Sequence, residues 1–472
     1  MAWVTAGEHP SKMMQQMARQ GSFNGDLPEG STFLRTVSWA PSPQWSPEMH
    51  PGIVPMMPLL SINAPTPEQV SSLLSDIDEV AEEAAKAIAD YCDVFRVDPT
   101  MIQEHRFEVG RLEHIWDNLA GLMQKSAKQP RTNSALWAAT AVGLVAFRIP
   151  ENIKAVSTNK TLLLALAKLM RVGTMDEKSA AAGAICNVCA DGTDQVEIAR
   201  TQPLIDALVE LCKMDGDVRL RAVGSFTNVS CGDASREALL QNSNVCEVLE
   251  SILTIRGSGD AHEVLLARAT MSLANLTGRN EGFTFVADFD VIKTIILCLD
   301  CAIESLLSDE PKTHGGVVWT ISIVLYPIYQ LSIADTNKLS LVEAGCIVQL
   351  LRILARWRVG TGTRELEWTL LTLLQLCFDD DCRGTLAVNL RCPEEVKACD
   401  DALGKLPPPD ALAALDTIIT IDPPSELERT RDTGGSLGLL AAILKEQVDD
   451  QAKRTVSDAP PSDGQGGGGG GG

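Results

Sequence analysis

The chain has 472 residues, of which 45% are hydrophobic and only 4% aromatic, and its formal net charge is −22. This charge disfavours nucleic acid as a partner, because phosphate binding needs a basic surface. It disfavours anionic membranes for the same reason, and no apolar run reaches the roughly 18 to 20 residues that a membrane insertion requires. Few aromatic residues among many small and aliphatic ones are typical of packed helices.

The 13 cysteines indicate a reducing compartment, because most of them lie inside apolar runs. Two pairs, Cys186/Cys189 and Cys298/Cys301, have the spacing of zinc ligands. Each pair falls within a helical pattern and the pairs are far apart in the chain, so we interpret them as core thiols. We therefore predict a cytoplasmic protein, with the nucleus as a second location, that has no metal site and no cofactor.

The first 74 residues are rich in proline and lack hydrophobic periodicity, which predicts a disordered segment over 1–74. Short patterns in this segment suggest regulation by phosphate. Ser38 follows a basic residue by three positions, and Ser42, Ser46 and Thr66 each precede a proline. Phosphates at these positions would add charge that docks the segment on the folded part or releases it.

Ordered structure is predicted to begin at Ser75, which has the character of a helix N-cap. Apolar residues then recur at helical spacing in two stretches, the first centred on Ala84 and the second on Trp116. We predict that residues 75–132 form a pair of helices that caps the next part of the chain.

A repeated pattern follows from Asn133. Three segments, 179–192, 220–233 and 265–280, are helices of small residues that end in an asparagine and are followed by a second helix. Their asparagines define a column, Asn187, Asn228 and Asn275. Weaker copies place Gly143, Gln330 and Gln375 in the same column. The interval is mostly in the low to mid forties, which is the range of armadillo and HEAT repeats.

One longer interval contains a polar insertion, residues 309–316, which we predict to be a loop. Three tryptophans precede column positions by different distances. Because large aromatic residues at helical spacing usually fill space, we predict that Trp137, Trp319 and Trp368 belong to the core.

The segment AGCIVQLL at 344–351 resembles the opening of the second long helix in the armadillo repeat family, and the asparagine-terminated helices resemble the helix before it. The resemblance implies an all-α fold, a right-handed α-solenoid of armadillo/HEAT-like helical repeats with disordered N- and C-terminal tails. About six repeats would occupy 133–399, a C-terminal helical cap 400–456, and a disordered glycine-rich tail 457–472.

The resemblance also implies a concave groove lined by the column, in which Asn187, Asn228 and Asn275 hold the backbone of an extended peptide. Arg221 and Arg268 lie on the same helical face as the column and could receive carboxylates or phosphates of a partner. Two plainer interpretations stay open: each asparagine caps its own helix end, and the arginines are solvated with their stems packed on the helix surface.

Importin-like members of the family carry tryptophan four residues before the column asparagine. The corresponding residues here are Gly183, Gly224 and Met271, so recognition of nuclear signals is not expected.

No pattern for catalysis is found. A phosphate-binding loop and a His-Glu-x-x-His motif are both missing, and the Gly-x-Ser-x-Gly spelling at 434–438 has no preceding strand and no histidine after it. We predict a non-enzymatic scaffold or adaptor that binds extended segments of other proteins, with no small-molecule substrate. The alternative is a structural component of a cytoskeletal or ciliary assembly that uses its convex and end surfaces.

Overall fold

The structure is a computed structural model that describes residues 64–93, 101–126, 133–190, 195–277, 285–307, 312–356, 363–391, 411–421 and 437–457. Within these ranges it contains 22 helices and one short β-hairpin. The described residues form two compact units, one that ends at Gln349 and one that begins at Leu350. In the same ranges, no helix combines the length and the apolar character that a membrane crossing needs.

Four helices precede the repeated pattern: α1 Pro67–Ser72, α2 Asp78–Tyr91, α3 Ile102–Gly110 and α4 Ile115–Ser126. Helix α1 lies inside the segment 1–74 that was predicted to be disordered. The residues at its N-terminus explain why a helix forms there. The Thr66 hydroxyl and the Gln69 side chain form a reciprocal capping box, and Pro67 occupies the first turn. Helix α2 begins later than predicted, with Ile77 as its N-cap, and the hydroxyl of Ser75 accepts a hydrogen bond from the Ile77 amide.

The first unit continues through 14 further helices, the last of which reaches into the second unit. They are α5 Ser134–Ala146, α6 Pro150–Thr158, α7 Lys160–Val172, α8 Met175–Val188, α9 Val196–Arg200, α10 Gln202–Cys212, α11 Asp217–Val229, α12 Asp233–Leu240, α13 Ser243–Leu253, α14 Asp260–Thr277, α15 Phe289–Leu307, α16 Ile321–Ser332, α17 Asp335–Glu343 and α18 Cys346–Arg356, where α18 is the one that crosses the boundary.

These helices form repeats of three: a short first helix, a longer second helix and a third helix that ends in the column. The third helices α5, α8, α11, α14 and α16 each pack against the next one. The second helices α4, α7, α10 and α13 do the same. Stacking of like helices on like helices is what defines a solenoid, because each repeat covers the apolar face of its neighbour. The predicted all-α solenoid is confirmed.

The position of the column is also as predicted, because every column residue lies in the last turn of a third helix. Gly143 lies in α5, Asn187 in α8, Asn228 in α11, Asn275 in α14 and Gln330 in α16. The small residues of these helices permit close packing. A β-carbon added at Gly143 would lie 2.9 Å from the Cα of Ala184 in the next third helix, so the two backbones nearly touch.

The short first helices were not predicted from the sequence, which indicated two helices per repeat. Helices α6, α9, α12 and α17 have only 5 to 9 residues each. So few residues give too little periodicity to separate a helix from a turn. The glycine of the 344–351 segment does mark a boundary, because Gly345 has φ +89 between α17 and α18.

The polar insertion is partly a β-hairpin, not only a loop. Its strands are β1 Thr313–His314 and β2 Val317–Val318, paired antiparallel. Gly315 and Gly316 form the turn with φ +59 and +72. Two successive positive φ angles are the requirement of the tightest hairpin turns, and glycine meets it without steric cost.

The second unit contains α19 Thr363–Leu376, α20 Asp380–Arg391, α21 Ala411–Ile421 and α22 Leu437–Ser457. Helix α22 packs against each of the other three. The column residue Gln375 lies in the last turn of α19, as in the first unit. Helix α21 and nearly all of α22 fall within 400–456, and the role of this range as a C-terminal cap stays a prediction.

The three tryptophans predicted to belong to the core are buried. Trp137 is 9% exposed, Trp319 3% and Trp368 8%. Most thiols of the described residues are buried as well, including Cys186, Cys189 and Cys298.

Candidate partner-binding site

Two asparagines of the column bind the repeat that precedes them. Nδ2 of Asn228 donates to the carbonyl oxygen of Cys186 at 2.7 Å, and Nδ2 of Asn275 donates to Oγ of Ser230 at 3.0 Å. The two asparagines are 6% and 1% exposed, and Oδ1 of Asn275 is sealed from solvent without a hydrogen bond. Both amides therefore join neighbouring third helices. Their contact with a partner stays a prediction.

Asn187 differs from the other two because it is only half-buried. Its amide makes no hydrogen bond within the described part of the chain, and its Nδ2 lies 3.4 Å from the position that a β-carbon would take at Gly143. An amide with a free donor and a free acceptor can bind a peptide group of another chain. Asn187 is thus the column residue best placed to contact a partner.

The side chain of Arg221, in α11, packs against α8, the preceding third helix, and the residue is 2% exposed. Its Nε donates to Oδ2 of Asp217 at 2.8 Å, and the hydroxyl of Ser179 donates to the same oxygen. A β-carbon at Gly183 would lie 2.4 Å from Nη1 of Arg221. The guanidinium therefore rests on the backbone of α8 at a position where only glycine leaves room.

Arg268 has the same placement one repeat later but different partners. It is 5% exposed, and its Nη1 donates to the carbonyl oxygen of Leu220 at 3.1 Å. Its Cζ lies 5.1 Å from the ring centroid of Trp319, and a β-carbon at Gly224 would lie 2.2 Å from Nη1. No carboxylate of the described residues pairs with it.

A simple sequence relation underlies both placements. Each arginine precedes its own column asparagine by seven residues, and each glycine precedes the asparagine of the previous repeat by four. Those two offsets lie on one helical face. The glycines therefore occupy the positions where importin-like proteins carry tryptophan, and here an arginine of the next repeat fills that space.

Burial and neighbouring charges shift the pKa of Arg221 and of the nearby Cys186 thiol. Burial lowers the pKa of Arg221, Asp217 opposes that shift, and the charge of Arg268 adds to it. Burial also raises the pKa of the neighbouring Cys186 thiol, against the opposing effects of Arg268, Arg221 and the Asn228 amide. Among the described residues, the carboxylate that pairs with Arg221 is that of Asp217, which is itself about half exposed.

A second set of polar residues was missed by the sequence analysis. In several repeats a side chain of the first helix donates to a carbonyl at the end of the preceding third helix, six or seven residues earlier. These bonds are Asn152 to Val145 at 2.9 Å, Arg236 to Ser230 at 3.4 Å, Asn337 to Leu331 at 3.1 Å and, in the second unit, Arg383 to Cys377 at 2.9 Å. Such donors satisfy helix carbonyls that would otherwise be unpaired. The signal was an Asn or Arg at a fixed distance after the helix end.

Of the candidate phosphosites, Ser38, Ser42 and Ser46 lie outside the described residues. Thr66 is exposed and caps α1. A phosphate at this position would face the positive end of the helix dipole, although α1 is only one and a half turns long.

The described side chains offer no arrangement for metal binding, since no group of three or more His, Cys, Asp or Glu residues is placed to hold an ion there. The chemistry that the third-helix layer can provide is recognition: an unpaired amide at Asn187 and a guanidinium without a counter-charge at Arg268. Repeat folds of this kind provide extended surfaces for binding other proteins.

No protein-family model matches the chain, and no curated protein matches it. Similar solved structures include a designed armadillo repeat protein in complex with the peptide (KR)4, with 14% identity, a TM-score of 0.35, and coverage of 66% of this chain and 98% of that chain. A second designed armadillo repeat protein has 20% identity and a TM-score of 0.32 over 55% and 99% of the two chains. An engineered protein has 16% identity and a TM-score of 0.37 over 81% and 98%. The stacking of three-helix repeats assigns the armadillo-type solenoid fold independently of these similarities.

Proposed function

We propose that this chain is a non-enzymatic protein-binding scaffold, and that an extended segment of a partner protein binds along the third helices beside Asn187, Arg221 and Arg268. The observation that carries the proposal is the buried guanidinium of Arg268, which has no carboxylate partner in the described residues. An uncompensated buried charge destabilises a protein, so its presence favours a role in which a partner supplies the opposite charge.

The half-buried amide of Asn187 favours the same face as the binding surface. Asn187 lies on α8, the third helix that Arg221 contacts. Asn228 and Asn275 then contribute by fixing the distance between successive third helices, through their bonds to the preceding repeat. The cytoplasmic location and the regulatory phosphosites stay predictions from the sequence.

The test replaces Asn187 with a larger charged residue. Asn187→Arg should abolish capture of partner proteins from a cell lysate by the full-length chain, because the new side chain blocks the face. Asn244→Arg, the same change at an exposed position of a second helix, should leave capture unchanged. Quantitative mass spectrometry of the captured proteins, with melting temperatures to establish folding, gives the answer. Equal capture by the two folded variants would contradict the proposal.

A second candidate is a structural role through the N-terminal end of the solenoid. Leu74 and Ile77 are 52% and 60% exposed there, beside the exposed carboxylates of Asp76, Glu79 and Glu83. An apolar surface bordered by charge at the end of a repeat array is suited to continued stacking on another protein. Capture that is lost on Ile77→Asp but retained by Asn187→Arg would favour this role.

A further inference from the structure

One edge of the Arg268 guanidinium is available to a ligand. Nη1 is occupied by the carbonyl oxygen of Leu220, and the face of the group is covered by the Trp319 ring. Nε and Nη2 make no hydrogen bond in the described part of the chain, and neither atom is fully shielded from solvent. An N–H bond of Nε and one of Nη2 run parallel along one edge of the planar group, and their spacing matches that of the two oxygens of a carboxylate.

The charges nearby indicate how much negative charge a ligand should bring. Arg221 and Arg268 are both buried, and among the described residues the carboxylate that acts on Arg221 is that of Asp217. One further negative charge would balance the region. A carboxylate supplies one, whereas a phosphomonoester carries about −1.5 to −2 at pH 7 and would leave an excess.

We propose that Arg268, supported by Arg221, binds the side-chain carboxylate of an aspartate or glutamate in the partner segment, in preference to a phosphate. This inference rests on the proposed function and deepens it by naming the ligand group. A side chain is the expected source, because an extended segment that crosses several repeats presents side chains along its length and has a carboxyl group of its backbone only at its end.

The chemistry can be tested on the full-length chain with small probes. Arginine labelled with nitrogen-15 at Nε gives a signal for Arg268, assigned by its loss in Arg268→Lys. Glutamate blocked by N-acetyl and C-amide groups should shift this signal to saturation. Inorganic phosphate at equal ionic strength should bind at least about tenfold more weakly. N-acetylglycine, whose carboxylate resembles a chain end, tests the other source of the same group and should bind no better than blocked glutamate.

Arg219 provides the matched control signal. Its Nε already donates to the Cys212 carbonyl and its Nη2 pairs with the exposed Asp215, so blocked glutamate should not move it. Arg268→Lys keeps the charge but removes the two-nitrogen edge, and the affinity for blocked glutamate, followed by the thermal stabilisation it causes, should fall about tenfold. Tighter binding of phosphate, stronger binding of N-acetylglycine, or no saturable shift with any probe overturns the proposal.

The outcome is separable from that of the scaffold proposal. If capture of partners depends on Asn187 but is unchanged in Arg268→Lys, the scaffold stands and the carboxylate assignment is wrong. If blocked glutamate binds at Arg268 while capture is the same for Asn187→Arg and Asn244→Arg, the carboxylate site stands and the scaffold proposal is wrong.

Discussion

Two successive interfaces between third helices use the same pair of residue types and differ in what surrounds them. At the α8/α11 interface, Arg221 rests on Gly183 and pairs with Asp217 at 2.8 Å. At the α11/α14 interface, Arg268 rests on Gly224, and a tryptophan takes the place of the carboxylate. The first interface is electrically balanced within the chain, whereas the second is not.

The two interfaces show that the packing role of these arginines is distinct from the pairing of their charge. Both arginines fill the space above a glycine, so both contribute to the fit between repeats. Only Arg221 has a carboxylate to offset the loss of its hydration, which makes it a structural ion pair. Arg268 has an aromatic ring, which attracts a cation but does not neutralise it. The second interface is therefore the one that a partner can complete.

The largest expected effect is on packing at the two glycines. Gly224→Ala should lower the free energy of unfolding by about 1–3 kcal/mol, because the new β-carbon would collide with Nη1 and Cζ of Arg268 and would contact the Cys186 sulfur. Gly183→Ala should cost less, because only the tip of Arg221 lies closer than 3.4 Å to the new atom. Urea titration of both variants measures the difference, and equal losses would remove the distinction between the interfaces.

A smaller effect is expected from the ion pair. Asp217→Asn should lower the free energy of unfolding by about 1 kcal/mol, since it takes away the carboxylate of a buried arginine but acts at a half-exposed side chain. Asp215→Asn is the matched control, because Asp215 is 96% exposed beside Arg219 and should contribute less than about 0.5 kcal/mol. If Asp215→Asn lowered the free energy of unfolding as much as Asp217→Asn, the burial of Arg221 would not be the reason for the contribution of its ion pair.

Removal of the unbalanced charge should be tolerated. Arg268→Met should unfold within about 1 kcal/mol of the wild type, or be more stable, because an apolar side chain of similar length replaces a buried cation without a counter-ion. Thermal and urea unfolding would measure this. A loss above about 2 kcal/mol would mean that the bond to Leu220 and the contact with Trp319 outweigh the buried charge.

The smallest effect concerns the thiol beside both arginines. Burial raises the pKa of Cys186, and Arg268 opposes that rise, so the thiolate should form only above the ordinary cysteine range. In Arg268→Met the pKa should rise further, and alkylation of Cys186 should begin at a higher pH. The rate of iodoacetamide labelling against pH, followed by peptide mass spectrometry, checks the direction. A shift to lower pH would contradict the placement of Arg268 near the sulfur.

Much of the fold was predictable because it depends on periodic patterns. The column from Gly143 to Gln375 lies in the last turns of successive third helices, as the spacing indicated. What escaped prediction had no periodic signal. Helix α9 has five residues, and helix α1 depends on a capping box between Thr66 and Gln69 at the edge of a proline-rich segment. The hairpin depends on two glycines within a polar insertion.

For the candidate site, the sequence predicted which residues share a helical face but not which partners their side chains bind. Sequence spacing placed Arg221 and Arg268 on the face of the column, because helical geometry fixes which positions share a face. It could not tell that Asn228 and Asn275 bind the preceding repeat, nor that Asn187 has a free amide.

The sequence by itself determined a helical chain whose small-residue helices recur and must stack, because a lone repeat cannot bury its apolar face. Only the tertiary structure decided which charges have partners. Asp217 lies near Arg221 along one helix, but Trp319 reaches Arg268 from another repeat, next to the β-hairpin. Such contacts depend on how far apart the helices lie, and that distance follows from packing, not from spacing along the chain.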